Sequence, residues 1–532
     1  MSSTSPIPNA RTLPPLWWPL VACAAAAFGW FVFAAAQRVP YPHQLEWMEG
    51  ALADHASRIA DGLPLYCEPG PEHVPFLYAP LLFWLGGLGM KLGLDGILAL
   101  RLIAAGATFG CAMLIGHQVR KETSRVVPGL VASGLFLAGY GWLAWWYDLA
   151  RNDALFVFFV LASAYQLRHG GPRGWFWAGL LATVALLAKQ SALMWLPAIG
   201  VGALLCDWRR AVRFGLTAVS GMAAAIGVMH LTSDGWSTFW LFEMPRHHGW
   251  VGDRKLGFWT EDVLPMLPLL VLGVIGFVRR VRVARGDALM LAAFGCGGLF
   301  TSWLSRMHVG GFDNVLMYGF AAACVLGPIA AIGIGPAPRW LGVVGPLLLL
   351  AQFGWLGVEA WRRGTSSLLP SAAHRTAHEQ LERYVAGRDA PIWIPGRGHI
   401  AYRYGKGTGA HGQAIFDLLQ LLPKLDNGML DISALFEPQK LEHLSPRARD
   451  AVLGFYDRTR DVLHRSYFST LVIDNFGSPP VDAWGGLFGV FLGGQNRTPD
   501  YVKRTEPVVD DLSGLRPLLG YELSNPYVLE RR

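Results

Sequence analysis

Eleven apolar runs dominate the chain, near 14–36, 97–118, 127–147, 153–168, 175–188, 191–206, 212–230, 263–278, 287–303, 314–334 and 340–360. Each approaches or reaches the length at which a helix crosses the roughly 30 Å hydrocarbon core of a bilayer. Lipid offers the backbone no hydrogen bonds, so such runs must satisfy their own as helices. The expectation is a polytopic α-helical membrane protein with about eleven spans, in which 175–206 can be a single broken span. Composition supports it: 52% of the 532 residues are hydrophobic, 16% are charged, and 22 are tryptophan. Those values exclude disorder and argue against a soluble enzyme.

A twelfth apolar stretch, 76–93, is set aside by the charges. If it does not cross, fourteen basic residues fall on one side: Arg11, Arg120, Lys121, Arg125, Arg168, Arg173, Arg209, Arg210, Arg213, Arg279, Arg280, Arg282, Arg285 and Arg339. Basic loops stay in the cytoplasm. The expected orientation therefore has a cytoplasmic N-terminus and 76–93 as an interfacial or re-entrant helix. The first run keeps Arg11 on its N-terminal side and reads as a retained anchor. Arg362 and Arg363 fall on the opposite side to the other basic clusters. Of the 19 acids before residue 365, only Glu122, Asp207 and Asp287 are then cytoplasmic. The other carboxylates collect at the outer face.

Charge density rises near residue 364, from 45 charged residues in 364 to 38 in the remaining 168. The boundary separates a transmembrane unit, 1–364, from a soluble outer α/β domain, 365–532. Within the first, 37–96 is an outer loop with interfacial helices. In the second, PIWIP (391–395) and TLVIDN (470–475) read as buried strands, and 371–386, 412–423 and 448–465 as helices. The glycine-rich 405–412 lacks the spacing of a phosphate-binding loop, and 496–498 is a glycosylation acceptor on paper. Six cysteines show no metal spacing and read as small buried hydrophobes.

Four outer clusters can carry chemistry. Glu46 and Glu49 are three residues apart, so a helix would place both on one face beside Trp47 and Met48. Such a pair at a membrane surface can act as a general base or hold a divalent cation. WWYDLARND brings Asp148, Arg151 and Asp153 to one turn between spans, where polar groups are costly and tend to be functional. Lys189 interrupts two apolar segments and must snorkel or pair; it can meet a phosphate. The aromatic loop 231–262 carries Arg246, His247 and His248, a mix suited to a phosphate-headed lipid or a sugar. SRMHVGGFDN (305–314) supplies Arg306, able to grip phosphate by two parallel bonds, and His308, able to donate to a leaving oxygen.

The order and sidedness of these features resemble the GT-C superfold of integral-membrane glycosyltransferases, near the protein O-mannosyltransferases and lipid A aminoarabinose transferases. Over residues 14–360 the carrying features are the acidic motif after the first span, GLPLY (62–66), YAPLLFW (78–84), the turn with Arg151 and Asp153, and Lys189 in a broken span. The resemblance implies a polyprenyl-phosphate sugar as donor and inverting transfer at the outer face. The acceptor would be a lipid, a glycan or a protein. It implies an acid in the first loop as base, Glu46 or Glu49, with Asp153 positioning substrate or metal. It implies that Arg151, Lys189, Arg246, Arg306, His308 and Tyr78 bind substrate. Where those families often carry Lys-Pro-Pro, this chain has Tyr78-Ala79-Pro80.

The implied location is a bacterial inner membrane, with lipids and no nucleic acid as partners. Two other classes predict different patterns. A transporter or flippase would line a path through the membrane with its acids, and a scaffold would need only its tail.

Overall fold

The computed structural model describes residues 15–332, 340–364, 367–426, 429–476, 501–519 and 523–531. Arg11, Arg339 and the 496–498 acceptor lie outside the described residues. Each of the eleven apolar runs contains helix, although the 127–147 run is α-helical only to Ala138 and continues as turns. In chain order the helices of this part are α1 (Trp17–Arg38), α2 (Glu49–Ala60), α3 (Leu81–Lys91), α4 (Gly96–Thr123), α5 (Val126–Ala138), α6 (Asp153–His169), α7 (Gly174–Ala188), α8 (Ala192–Cys206) and α9 (Trp208–Thr232). Two short helices, α10 (Trp236–Thr238) and α11 (Arg254–Gly257), precede α12 (Leu267–Arg280), α13 (Arg285–Met307), α14 (Met317–Ile332) and α15 (Leu341–Arg363). Among the described residues, seven helical stretches are long and apolar enough to cross a membrane. The chain is a multi-pass membrane protein.

Local chemistry sets the boundaries. Asp95 caps α4 by accepting from the backbone N–H groups of Ile97 and Leu98, at 3.0 and 3.3 Å, and Asp207 caps α9 through Arg210 N–H. α3 has 11 residues, about 16 Å of rise, roughly half the hydrocarbon thickness. It lies against α2 and α4. The bundle packs closely where side chains vanish: a Cβ at Gly129 on α5 would stand 2.5 Å from the Gly116 carbonyl oxygen on α4. α14 is the most enclosed span, buried along nearly its whole length.

One end of the bundle is tied by charge. Glu122 pairs with Arg168 and with Arg280 at 2.8 Å, and Asp287 joins both arginines. Arg362 and Arg363, anomalous by sequence, pair with Glu359 at 3.0 Å and Asp313 at 2.6 Å.

Beyond residue 370 the chain forms α16 (Ala372–Ala386), β1 (Ile392–Trp393), α17 (Gly398–Arg403), α18 (Gly412–Leu419), α19 (Pro446–His464), β2 (Thr470–Phe476), β3 (Tyr501–Lys503) and β4 (Leu523–Arg531). The strands make one sheet in the order β1-β2-β4-β3, parallel only between β1 and β2. Ile392, Ile394 and Val472 are fully buried, as expected for strands of an α/β core. This part sits directly on the loops of the helical unit. Leu519 N–H donates to Leu45 O at 3.1 Å, Ala410 N–H to Pro71 O at 2.8 Å, and Arg38 to Leu368 O at 2.7 Å.

Candidate active site

The loop between α1 and α2 ends in Glu46-Trp47-Met48-Glu49, all buried. The two acids do not share a helix face, contrary to the expectation from their spacing. Glu49 is the first residue of α2, and Glu46 precedes the helix. A helix N-terminus presents unpaired N–H groups and a positive dipole end, and the Glu49 side chain turns back into that region. It accepts from Leu45 N at 2.6 Å and Glu46 N at 3.2 Å. It also accepts from Ala150 N at 2.8 Å, and from Arg101 Nε and Nη2 at 2.8 and 2.5 Å. Burial pushes its carboxyl up, but Arg101 and these N–H groups outweigh burial and hold it below the usual range. Both Glu49 oxygens are thus engaged by N–H groups, which sets Glu49 apart from Glu46.

Glu46 is differently placed. Oε2 accepts from Met48 N at 3.1 Å and lies 3.6 Å from Arg151 Nη1. Oε1 is buried without a hydrogen-bond partner among the described residues. Burial pushes its pKa up to about 7; Arg151 pulls it down and Glu49 pushes it further up. A carboxyl poised near neutrality suits proton transfer.

Arg151 links Glu46 to the rest. Its Nη2 donates to Tyr78 Oη at 3.0 Å, and its guanidinium lies 5.4 and 5.2 Å from the rings of Tyr78 and Trp146. Two residues on, Asp153 opens α6 and is saturated. It accepts from Lys189 Nζ at 2.6 Å, Tyr318 Oη at 2.7 Å and Asn314 Nδ2 at 2.8 Å. Lys189 occupies an extended break between α7 and α8, so it faces this cluster instead of continuing a span. Asp148, expected in the same group, instead pairs with Arg38 at 2.9 Å and Tyr140 at 2.9 Å.

A cavity of about 260 Å³ opens beside these residues, with Met48, Tyr78, Arg151 and Lys189 in its lining. His248, Trp250 and His308 line it too, and Leu77, Met194 and Val315 make part of it apolar. His248 stacks on His308 with ring centroids 5.2 Å apart. Burial and the neighbouring His308 push His248 down to about 3, so it is neutral.

Arg246 is exposed and does not line this cavity, and neither does Arg306. The Arg306 guanidinium is occupied by Asp262 at 2.9 and 3.1 Å, by Gly311 O at 2.9 Å and by Asp313 at 2.9 Å. Arg246 is open to solvent and Arg306 is fully paired, so the structure does not bring either to the cavity with the others.

Two parts of the arrangement escaped sequence reasoning. Arg101, inside the run LALRLIAAG, is the partner of Glu49, and a buried charge in a span was itself a signal. The second is α18, which roofs the cavity with Gln413, Phe416 and Asp417. Asp417 accepts from Gln413 Nε2 at 2.7 Å and lies 3.7 Å from His248 Nε2. Burial pushes its pKa up to about 8. No sequence signal marked it.

A divalent cation between Glu46 and Glu49 does not fit the donor set, since both oxygens of Glu49 are spent on N–H groups. Among the described residues, no three His, Cys, Asp or Glu side chains converge to hold a metal.

The fold is that of ArnT, a GT-C fold, and the likeness is one of fold alone. ArnT from Cupriavidus metallidurans superposes in its apo state with a TM-score of 0.58 over 96% of this chain and 97% of that one, at 13% identity. The same enzyme bound to undecaprenyl phosphate gives 0.55 over 97% and 98%, again at 13% identity. The arabinofuranosyltransferase AftD from Mycobacteria gives 0.49 at 16% identity, over 98% of this chain and 42% of that one. No protein-family model and no curated sequence matches the chain.

Proposed function

We propose that this protein transfers a glycosyl group from a polyprenyl-phosphate sugar to an acceptor at the periplasmic face of a bacterial inner membrane, with inversion. The observation that carries the reading is the linked set Glu46–Arg151–Tyr78 and Asp153–Lys189 beside a mostly apolar cavity at the ends of spans. A lipid-linked donor needs this combination, an apolar wall for isoprenoid and cations for phosphate. ArnT, of the same fold, binds undecaprenyl phosphate. In this reading the N-terminus is cytoplasmic, 1–364 binds the donor, and 365–532 is the periplasmic domain that roofs the site.

The chemistry is one displacement. The acceptor hydroxyl gives its proton to the Glu46 carboxylate while its oxygen bonds to the anomeric carbon. The bond from that carbon to the phosphate oxygen breaks, and its electron pair leaves with the polyprenyl phosphate. Arg151 and Lys189 stabilise the charge that develops on the departing phosphate. Attack opposite the leaving group inverts the centre. Tyr78 holds Arg151, Asp153 holds Lys189, and His308 meets the phosphate or the sugar.

A second reading gives the proton to Asp417. It rests on one observation: Asp417 lines the cavity, whereas Glu46 does not. Binding of undecaprenyl phosphate to the purified protein in nanodiscs tests the donor assignment. We expect saturable binding that weakens at least tenfold in Arg151→Ala; no binding by the wild-type protein overturns the reading.

A further inference from the structure

A narrow cavity of about 60 Å³ lies between α12, α13 and α14, and shares no lining residue with the Arg151 cavity. Ala288 of α13 lines it, and His308, just past the other end of α13, lines the Arg151 cavity. The rise between those two residues is about 30 Å, the thickness of the hydrocarbon core. The two cavities therefore belong to opposite leaflets.

Small residues make the recess. α12 presents Gly273 and Gly276 to it, and α13 presents Ala288 and Ala292. A Cβ at Gly276 would stand 2.6 Å from the Cβ of Ala330 on α14, so α12 and α14 close one side. Phe277 belongs to the lining and is 37% exposed, and its neighbours Val274 and Val278 are exposed as well. The recess is thus reached from the apolar outer face of α12, which lies in lipid. Apolar cavities stay dry and take apolar guests.

The only polar side chains in the lining are those of Arg279 and Arg280. With Arg282 and Arg285 they crowd the α12–α13 turn. The acids at this end of the bundle are already engaged. Asp207 caps α9, Glu122 holds Arg168 and Arg280, and Asp287 lies 3.3 and 3.4 Å from the same two arginines. Arg279, Arg282 and Arg285 have no carboxylate partner among the described residues. An apolar recess therefore lies beside a surplus of positive charge.

That pairing selects the ligand. Pockets for nucleotides or other small molecules measure about 300–1,000 Å³, so this one admits a chain and not a ring. A zwitterionic headgroup would bring an ammonium that finds no free carboxylate. A narrow recess also favours an unbranched chain over a methyl-branched isoprenoid. Basic pockets between spans hold anionic lipid headgroups. We propose that this cavity binds an anionic glycerophospholipid of the leaflet opposite the Arg151 cavity, with one acyl chain in the recess and its phosphate on Arg279. Arg282 and Arg285 add to the positive field around that phosphate.

Native mass spectrometry of the purified full chain tests this, with dioleoyl phosphatidylglycerol, dioleoyl phosphatidylcholine and undecaprenyl phosphate as probes. Phosphatidylglycerol should bind at least tenfold more tightly than phosphatidylcholine. Its affinity should fall at least fivefold in Arg279→Gln, which removes the phosphate contact, and in Ala292→Phe, which fills the recess. It should stay within twofold in Arg120→Gln, which removes an exposed arginine elsewhere at the same end. Arg279→Gln leaves no acid unpaired, should melt like the wild type, and carries the test even if Ala292→Phe is unstable. Equal affinity for the two phospholipids overturns the site, as does phosphatidylglycerol binding within twofold of the wild type in Arg279→Gln. Undecaprenyl phosphate binding should respond to neither variant; a fivefold loss there would make the isoprenoid the occupant and overturn the assignment.

Discussion

Glu46 and Glu49 are three residues apart and equally buried, yet their removal should fail in opposite ways. Glu49 receives five N–H groups, two of them from Arg101, which is itself fully buried. Breaking a buried ion pair by removing one partner costs about 3–5 kcal/mol. At roughly 2–4 °C per kcal/mol for a large domain, Glu49→Gln should lower the melting temperature on the order of 10 °C. Glu46 accepts one backbone hydrogen bond and keeps a bare oxygen. Its shift from 4.5 to about 7 makes the ionised form about 3 kcal/mol less favourable than in water.

The sign of the linkage follows. A carboxyl raised on folding contributes stability below its unfolded value and loses it as pH climbs through 7. Glu46→Gln should therefore melt at or above the wild type at pH 8, and the wild type should lose stability between pH 5 and 8 where the variant does not. Its transfer rate should fall about 10²–10⁴-fold, the usual worth of a general base. Differential scanning fluorimetry and transfer assays on the same preparations separate the two effects. A Glu46→Gln variant that melts like Glu49→Gln, or that keeps activity within twofold, would refute the division of roles.

With Glu46 as base, kcat/KM should rise about tenfold per pH unit and level off near 7; a plateau near 8, lost in Asp417→Asn, would transfer the role to Asp417. Arg151→Lys should weaken undecaprenyl phosphate binding, because a lysine cannot both reach Tyr78 and lie flat between Tyr78 and Trp146; calorimetric titration checks this. Lys189→Met should likewise raise the donor KM, while Asp153 keeps Tyr318 and Asn314 and the fold survives. In a background without the other cysteines, Leu63→Cys, at a position 47% exposed, should react with an impermeant maleimide in intact spheroplasts. Exposed Cys206, at the far end of α8, should react only after lysis; the reverse pattern would invert the topology.

The helices were legible because lipid imposes one rule on every run, and Lys189 because it divides two apolar segments. Arg151 and Asp153 were legible as polar groups between apolar helices, although their partners were not. Spacing misplaced Glu46 and Glu49 on one face, since nothing local reveals that the helix begins at the second of them. Arg306 looked like a phosphate ligand because its neutralising acids, Asp262 and Asp313, come from different loops. Asp417 carried no signal: a lone acid in a soluble helix acquires its meaning only when the C-terminal part folds back over the spans.

The account turns on donor chemistry at the Arg151 cavity. The purified protein in nanodiscs should be given radiolabelled undecaprenyl-phosphate sugars with a panel of glycan, lipid and peptide acceptors. Label should pass to one of them in the wild type, and Glu46→Gln and Arg151→Ala should reduce that transfer at least a hundredfold. Wild-type protein that neither binds undecaprenyl phosphate nor transfers label from any donor would contradict the assignment.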